Sequence, residues 1–353
     1  MKIGDTEQVG TECHSGKLQI GGCSMVVVTG ATGHLGNVLV RELLSRNVPV
    51  RAVIPRGEDT TPLDGMKVEK VEGNVLDPDS LVRAFQGAEV VYHLAGILFT
   101  SPRRTRLFYE VNLGGTRNVA GACLKCGVKK MVHTSSIQAL VEPPKGTVFD
   151  EKSHFDPDKV VGHYAKSKAK ASLEVLAAVK KGLDAVILCP TGAIGPYDFK
   201  PSKMGKWFLD VARDKIDGRI YTINGIYDFV DVRDIAAAMI AAAQKGRTGE
   251  VYILSGERID QHHQTLMVQE VSGVHGKCYG IPGWQLYMMA GMAWAWNWVR
   301  DSVPGFTLDE ARIIMSNSVI SHEKATRELG FQPRPMKEST ADAIAWFRQN
   351  GKL

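Results

Sequence analysis

A chain of 353 residues, 44% of them hydrophobic, is long enough to bury a substantial core in one large or two modest domains. The net charge of +5 is modest and the basic residues are mixed with acidic ones, which argues against a nucleic-acid partner. Six cysteines and ten histidines show no metal-ligand spacing, so no metal site is predicted. The lone pair Cys123 and Cys126 is interpreted as free buried thiols.

The amino-terminal segment is polar and rich in glycine, without the apolar core of a signal peptide. It predicts a flexible tail over residues 1–24 and a cytoplasmic protein. From residue 25 to residue 190, short apolar runs alternate with helical patterns. This alternation predicts an α/β fold with a parallel sheet.

A glycine-rich turn, TGATGHLG, follows the first predicted strand, residues 25–28, and opens a predicted helix over residues 34–44. Gly30 allows a tight turn, Gly33 lets the backbone approach a pyrophosphate, and Gly36 lets the helix pack closely on the strand. The helix N-terminus adds free N–H groups and the positive end of its dipole. The turn therefore predicts a dinucleotide-binding site.

The second predicted strand, residues 49–54, is followed by Arg56 and not by an acid. NAD enzymes usually place Asp or Glu there to bind the ribose hydroxyls, whereas the nearest acids here come later, at Glu58 and Asp59. A guanidinium matches a 2′-phosphate through paired hydrogen bonds. The pattern favours NADP(H), with NAD(H) still possible and a solvated surface arginine as the alternative interpretation.

The candidate catalytic residues come next along the chain. A strand predicted over residues 130–134 ends in Ser135 and Ser136, at the kind of strand end where sites form in parallel sheets. Tyr164 and Lys168 lie one helical turn apart on one face. A free tyrosine titrates near pH ~10, and a neighbouring ammonium favours the phenolate. The set predicts proton transfer to a carbonyl oxygen during hydride transfer, or the reverse.

Residues 284–299 are rich in tryptophan and methionine. The uncharged run is short for a membrane span, and Gln285 and Asn297 interrupt it. A helix that is apolar on two faces needs two partners, of which one is the protein core. The other is a hydrophobic substrate, a membrane surface or a second subunit, unless the helix packs in the core alone. We expect Trp294 and Trp298 to line the substrate pocket.

Over nearly all of residues 25–350, the chain resembles the extended short-chain dehydrogenase/reductase family. The matching runs follow the order of that family: TGATGHLG, GNVLDPDSL, VVYHLAG, VNLGGTRNV, VHTSSIQAL, YAKSK, CPTGAIGPYD, FVDVRDIAAAM and KATRELGF. Within the family, the chain looks most like the dihydroflavonol reductase and 3β-hydroxysteroid dehydrogenase branch.

The resemblance implies a Rossmann doubly wound parallel sheet with a smaller, mostly helical C-terminal substrate-binding part. The dinucleotide-binding domain is expected over residues 25–190. The substrate-binding part is expected over residues 191–353, with a segment near 225–255 returning to the sheet. Arg103, Arg104 and Arg106 lie in a loop that the family places near the substrate. These arginines are expected either to contact an anionic group of the substrate or to be solvated. We also expect a homodimer.

The resemblance also implies roles for single residues. Ser136, Tyr164 and Lys168 match the catalytic set, and Asn112 matches a residue that supports the lysine through water. Val141 stands where plant dihydroflavonol reductases carry an asparagine, which argues against a flavonoid substrate. Asn74 replaces the usual aspartate at the adenine. The expected cofactor-binding residues are Gly30, Thr32, Gly33, His34, Leu35, Gly36, Arg56, Asn74, Val75, Ala95, Gly96, Ser135, Tyr164, Lys168, Pro190 and Ile194.

We therefore expect an NADP(H)-dependent oxidoreductase that reduces a hydrophobic ketone or oxidises the matching secondary alcohol. One alternative is a nucleotide-sugar epimerase or dehydratase on the same fold, although dehydratases carry an Asp-Glu pair where this chain has Ile137 and Gln138. A non-catalytic dinucleotide-sensing protein is the alternative from another class, and such proteins lose the tyrosine–lysine pair. The expected partner is a hydrophobic small molecule. No transmembrane span is expected, and peripheral membrane contact stays open.

Overall fold

A seven-stranded parallel sheet forms the centre of the protein, whose structure is a computed structural model. The structure describes residues 25–213, 219–223, 225–303, 307–309, 311–312 and 318–353. The tail expected over residues 1–24 lies outside the described residues.

The strands and helices alternate along the first half of the chain and mix less regularly afterwards. The strands are β1 (Val26–Thr29), β2 (Val50–Ile54), β3 (Glu69–Glu72), β4 (Val90–His93), β5 (Lys130–Thr134), β6 (Val148–Phe149), β7 (Ala185–Pro190), β8 (Gly192–Ile194), β9 (Arg219–Ile223), β10 (Ile226–Asp231), β11 (Val251–Leu254), β12 (Glu257–Asp260), β13 (Lys277–Ile281) and β14 (Val319–Ile320). The helices are α1 (His34–Ser45), α2 (Pro78–Ala84), α3 (Gly115–Cys126), α4 (His163–Val179), α5 (Lys203–Ala212), α6 (Val232–Lys245), α7 (Gln261–Ser272), α8 (Gly283–Arg300), α9 (Glu323–Leu329) and α10 (Met336–Gln349).

The central sheet has the order β3-β2-β1-β4-β5-β7-β11, with every neighbouring pair parallel. The order reverses between β1 and β4, because the chain moves outward from β1 to β3 on one side and from β4 to β7 on the other. In open parallel sheets, ligands bind beyond the carboxyl ends of the strands at such a reversal. The expected doubly wound parallel sheet is confirmed.

Helices cover both faces of this sheet, because the side chains of β1 alternate between two hydrophobic clusters. Val26 and Val28 belong to the cluster that includes residues of α1 and α6. Val27 belongs to the cluster that includes residues of α2, α3 and α4. A strand that is buried on both faces is apolar throughout and not alternating, which is why β1 is a run of valines.

The chain beyond β7 builds a smaller unit and returns once to the sheet. Strands β8, β10 and β12 form a three-stranded sheet, and β9 pairs with β13. Helices α5, α7 and α10 share a third hydrophobic cluster around Phe208, Val268 and Phe347. Helix α6 packs in the same cluster as α1, and β11 extends the central sheet beside β7.

The element bounds agree closely with the sequence pattern where that pattern is strong. The strand expected over residues 25–28 and the helix expected over residues 34–44 correspond to β1 and α1 within one residue. The strand expected over residues 130–134 coincides with β5. The glycine turn and the serine pair therefore lie directly after buried strands, at the carboxyl edge of the sheet.

Candidate active site

The glycine-rich turn lies where the strand order reverses, between the ends of β1 and β4. Gly30 has a φ of +75°, and a Cβ atom there would lie 2.7 Å from the backbone nitrogen of Ala95. A Cβ atom on Gly36 would collide with the carbonyl oxygen of Gly30. Gly33, in contrast, is exposed and stands at the N-cap of α1. The turn thus has the close packing and the open helix N-terminus that a bound pyrophosphate requires.

Polar side chains hold this turn against the segment that follows β8. The Asn37 Nδ2 atom donates to the Tyr197 carbonyl at 3.2 Å, and His34 Nε2 lies 2.9 Å from the Pro196 carbonyl oxygen. Leu35 is partly buried against the core. The side chains of His34 and Leu35 therefore contact the rest of the protein and hold the turn in place. Their backbone N–H groups, in the first turn of α1, are left to contact a cofactor.

Arg56, after β2, is exposed and makes no ion pair in the part of the chain that the structure describes. The nearby acid Glu58 is occupied, because it accepts a hydrogen bond from Thr32 Oγ1 at 3.4 Å and pairs with Lys200 Nζ at 2.7 Å. The Arg51 guanidinium pairs with the Glu69 carboxylate of β3 at 2.9 Å, so it is not available to bind a phosphate. Lys200 was missed by sequence reasoning, since it is remote along the chain and carries no motif.

Four further expected cofactor residues lie beyond β3 and β4, at the same edge of the sheet. Asn74 is exposed, and its Oδ1 atom accepts a hydrogen bond from the backbone of Leu76 at 2.9 Å. This bond occupies the oxygen and leaves the amide nitrogen to a ligand. Val75 and Ala95 are partly buried, and Gly96 is exposed.

Strand β5 and helix α4 bring Ser136, Tyr164 and Lys168 together. Ser136 follows β5 and is 8% exposed, and Tyr164 is in the first turn of α4. The side chains of Tyr164 and Ser136 share a hydrogen bond. Lys168 is buried one turn further along, where its Nζ atom donates to the Thr134 carbonyl at 2.6 Å.

Burial is the largest influence on the pKa values of Tyr164 and Lys168. It raises the pKa of Tyr164 well above its usual value, and the hydrogen bond with Ser136 acts in the opposite direction. It lowers the pKa of Lys168 to about 8. The expected stabilisation of a phenolate by Lys168 is thus outweighed by desolvation. At neutral pH, Tyr164 is a phenol that can give a proton.

A π-helical segment, Phe108–Gly114, places Asn112 beside these residues. Asn112 Nδ2 donates to Ser167 Oγ at 3.0 Å. A Cβ atom on Gly96 would lie 3.0 Å from Asn112 Oδ1 and 3.8 Å from Lys168 Nζ, so the three residues meet at one point. The side chain of Asn112 therefore supports the turn of α4 that holds the lysine. A π-helical segment accommodates one extra residue in a turn, and such segments are common at functional sites. Nothing in the sequence pattern marks this one.

Two buried histidines, which sequence reasoning missed, lie in the neighbouring strands β4 and β5. The rings of His93 and His133 stack with centroids 5.3 Å apart. His93 also bonds the hydroxyls of Thr29 at 2.8 Å and Thr116 at 2.9 Å. Burial, and then the charge of Lys168, lower the pKa of His93 to about 3 and that of His133 well below its usual value. Both rings stay neutral at neutral pH, which leaves the positive charge on the lysine.

Three other residues that were expected to bind the cofactor are buried in the protein. Ser135 Oγ lies 2.7 Å from Ser172 Oγ inside the protein. Ile194 is buried in the third hydrophobic cluster, and Pro190 is buried at the end of β7. For Ser135 and Ile194, only the backbone is left to contact a cofactor.

An apolar cavity of about 350 Å³ is lined by two residues that interact with Ser136 and Tyr164. Gln138 lines it and donates its backbone N–H to Ser136 Oγ at 3.2 Å. Tyr227 also lines it and is close enough to raise the pKa of Tyr164 electrostatically. Lys203 is the one charged side chain among the described residues that line the cavity. The apolar lining residues include Leu98, Phe99, Met204, Trp207, Phe229 and Ile259.

Helix α8 does not contribute to this cavity. Only Leu286 and Ala290 of the helix are buried. The prediction that Trp294 and Trp298 line the substrate pocket is therefore wrong, because both rings are about half exposed on the surface. An apolar composition on two faces predicted two covered faces, whereas the fold covers one narrow strip.

Among the described residues, no group of three His, Cys, Asp or Glu side chains is arranged to bind a metal ion. Cys123 is a buried free thiol, and Cys126 is a free thiol that is only partly buried. In that same part of the chain, no helix combines the length and the apolar character needed to cross a bilayer.

The chain matches one family model and several known proteins, each over most of its length. The model of the NAD dependent epimerase/dehydratase family matches residues 26–255. The chain is 34% identical over 334 residues to Sterol demethylase protein B of Methylococcus capsulatus, covering 93% of this chain and 99% of that protein. It is 30% identical over 335 residues to a protein of Synechocystis sp. provisionally named dihydroflavonol 4-reductase, covering 92% and 94%. The crystal structure of gox2253 is similar with a TM-score of 0.80 and 31% identity, covering 94% of this chain and 100% of that one.

Proposed function

The chain belongs to the NAD dependent epimerase/dehydratase family of extended short-chain dehydrogenases/reductases, and from this membership we propose a specific reaction. The family expected from the motifs is confirmed, and the protein is an NAD(P)-dependent enzyme. We propose that it reduces a hydrophobic ketone with NADPH, or oxidises the matching secondary alcohol with NADP⁺. The observation that carries the proposal is the convergence of Ser136, Tyr164 and Lys168 beside an apolar cavity.

Tyr164 gives the proton in this reaction. Its raised pKa keeps it a phenol at neutral pH, so its hydroxyl donates to the ketone oxygen as negative charge develops there. Ser136, already hydrogen-bonded to Tyr164, binds the same oxygen. The ammonium of Lys168 stabilises the phenolate left behind, which favours the transfer. When bound, the nicotinamide supplies the hydride in reduction and accepts it in oxidation.

The glycine turn and the strand ends around it would hold the dinucleotide. Gly30, Gly33 and the first turn of α1 fit the pyrophosphate, since a backbone without side chains leaves room there. The preference for NADP(H) rests on Arg56, whose guanidinium is exposed while Glu58 is neutralised by Lys200. A free cation next to a neutralised acid favours a 2′-phosphate over ribose hydroxyls.

The substrate class follows from the cavity. Apolar and aromatic side chains line most of it, and Gln138 and Tyr227 stand near the reacting group. Such a lining favours a ring-containing ketone with few polar groups. The names of two relatives, one a sterol demethylase protein and one a dihydroflavonol 4-reductase, support compounds of this size and shape.

A nucleotide-sugar substrate is less well supported. A diphosphate requires several cationic or N–H donor groups, whereas Lys203 is the one charged side chain among the described lining residues. A dehydratase also needs an acid and a base beside the reacting carbon. Here Ile137 is buried in the core and Gln138 is a neutral amide. The predicted homodimer and cytoplasmic location stay predictions.

A substrate panel tests the proposal. We expect the full-length protein to consume NADPH, followed by its nicotinamide absorbance, with a steroid ketone or a bulky aryl ketone. NADH should be the poorer reductant, and a Tyr164→Phe variant serves as the blank. Conversion of UDP-glucose to another sugar, with no ketone reduced, would overturn the proposal in favour of an epimerase.

A further inference from the structure

Helix α8 presents an exposed apolar stripe along its whole length. Trp284, Met288, Met292 and Trp296 recur every four residues, so their side chains follow one another on one face. They are 62%, 56%, 63% and 58% exposed, respectively. We call these four residues the α8 stripe. Single exposed apolar residues are common in proteins, but a continuous stripe of this kind marks a surface that is covered in use.

The composition of the stripe is typical of the boundary between water and lipid. Tryptophan rings, with an apolar body and one polar N–H group, concentrate at that boundary, and methionine adapts to irregular apolar surroundings. With 18 residues, α8 extends about 27 Å at about 1.5 Å per residue, which is short of a bilayer core about 30 Å thick. The helix is thus suited to lie on a bilayer and not to cross it.

Arginines stand beside the tryptophans at the carboxyl end of α8. The Arg300 guanidinium lies 4.3 Å from the ring centroid of Trp296, and Arg103 lies 4.6 Å from that of Trp298. In the described residues neither arginine forms a direct ion pair, although the charge of Arg103 is close enough to help lower the pKa of Asp301, which hydrogen bonds from Arg104 and Ser101 lower most. Both arginines are exposed, and each is stacked on a tryptophan ring that faces solvent, so positive charge lies beside the apolar stripe at the carboxyl end of α8.

The loop that carries Arg103 is fixed to the helix end. Arg104 pairs with Asp301 at 2.6 Å, and Ser101 Oγ donates to the same carboxylate at 2.5 Å. These contacts occupy the Asp301 carboxylate, and Arg103 and Arg300 add positive charge beside it. A guanidinium surface next to exposed tryptophans is complementary to anionic lipid headgroups.

We propose that the α8 stripe, with Arg103 and Arg300, binds the surface of an anionic bilayer. The apolar side chains enter the headgroup region, and the two guanidinium groups pair with lipid phosphates. A second copy of the chain fits this surface less well. A two-fold contact through the carboxyl end of α8 would bring two arginine clusters together, which is unfavourable.

The substrate cavity connects to this surface through a short stretch of chain. Leu98 and Phe99 line the cavity, and Leu98 is 48% exposed at its rim. Ser101, two residues after Phe99, is the residue bonded to the end of α8. Docking of α8 therefore brings the cavity rim close to lipid. This last step rests on the proposed function, since only a hydrophobic substrate would be drawn from a bilayer.

Vesicle flotation of the full-length protein tests the proposal without cofactor or substrate. We expect the protein to float with phosphatidylglycerol vesicles and much less with phosphatidylcholine vesicles, and salt should weaken the binding. The double variant Met288→Gln/Met292→Gln should lose at least tenfold in the bound-to-free ratio. The matched control Leu266→Gln, at an exposed apolar position of α7, should bind like the wild type.

The charge contribution has its own variant. Arg103→Gln/Arg300→Gln should bind both kinds of vesicle equally, because the preference for anionic lipid depends on those two groups. Wild-type protein that stays unbound to both vesicles would overturn the proposal. So would a double methionine variant that floats as well as the wild type. A dimer in sedimentation that the methionine variant converts to a monomer, without flotation, would overturn it and assign the stripe to a second copy.

The same experiment separates this inference from the proposed function. Flotation together with failure to reduce any ketone would leave the bilayer surface in place and reject the reaction. Ketone reduction by a protein that never floats would reject the bilayer surface and keep the reaction.

Discussion

Helices α4 and α8 are nearly equal in length, at 17 and 18 residues, but their burial is the reverse of what their composition suggests. Helix α4 contains three lysines and still buries eight residues, among them Lys168. Helix α8 contains one charged residue, Arg300, and buries only Leu286 and Ala290. Composition alone would have placed α8 inside the protein and α4 on its surface.

The difference shows that burial follows from position in the fold. Helix α4 packs with the residues of β5 and β7 in one hydrophobic cluster. Its buried polar groups have partners, since Ser167 Oγ donates to the Tyr164 carbonyl at 2.7 Å and Ser172 Oγ to the Lys168 carbonyl at 2.9 Å. Polar groups that are hydrogen-bonded can be buried at little cost. Helix α8 belongs to none of the three clusters built on the sheets.

The largest effect is expected where the buried helix meets the substrate. Tyr164→Phe removes the proton donor and keeps the ring, so kcat should fall by ~10² or more while NADPH affinity is nearly unchanged. Steady-state kinetics and a cofactor titration measure the two quantities. Tyr109→Phe, which removes a hydroxyl bonded to His163 on an exposed face, is the matched control. A Tyr164→Phe variant with wild-type kcat would contradict the assignment.

The next largest effect concerns the cofactor. Arg56→Glu should lower the ratio of kcat/KM for NADPH to that for NADH by about tenfold to a hundredfold, because a charged hydrogen bond contributes about 1.5–3 kcal/mol. Lys67→Glu, on the exposed loop before β3, repeats the charge reversal as a control. An unchanged ratio would exclude Arg56 as the phosphate ligand.

A smaller effect is expected in the dependence on pH. The pKa of Lys168 is lowered to about 8, so the residue is charged below that pH and neutral above it. If the charge is needed, kcat/KM for reduction falls as the pH rises above about 8, since this parameter reports the free enzyme. Lys168→Arg keeps its charge throughout, so its remaining activity should not decline in that range. The same decline in both proteins would assign it to another group.

The smallest effect is expected on α8. Trp294→Ala should leave the free energy of unfolding within ~0.5 kcal/mol of the wild-type value, because the side chain is exposed. Its kcat/KM for a water-soluble ketone should also be unchanged. Leu39→Ala, at a fully buried position of α1, should cost ~2–5 kcal/mol in the same urea titration. Equal losses in the two variants would show that α8 is part of the core.

The sequence by itself determined the family, the central sheet and the main catalytic candidates. The glycine turn, the serine pair and the Tyr164–Lys168 spacing are local patterns, and each depends on residues within one turn or one strand end. Because parallel strands place their carboxyl ends at one edge, such local patterns also predict that these groups meet. Ser136, Tyr164 and Lys168 are brought together for this reason.

Only the tertiary structure decided the rest, because it depends on residues that are remote in sequence. Lys200 neutralises Glu58 across the glycine turn, and Tyr227 and Trp207 reach the cavity from separate elements. The π-helical position of Asn112 is likewise invisible to a helical pattern. Helix α8 is the clearest case. Its apolar residues predict that something covers them, but only the packing of the described residues shows that most of these side chains stay exposed.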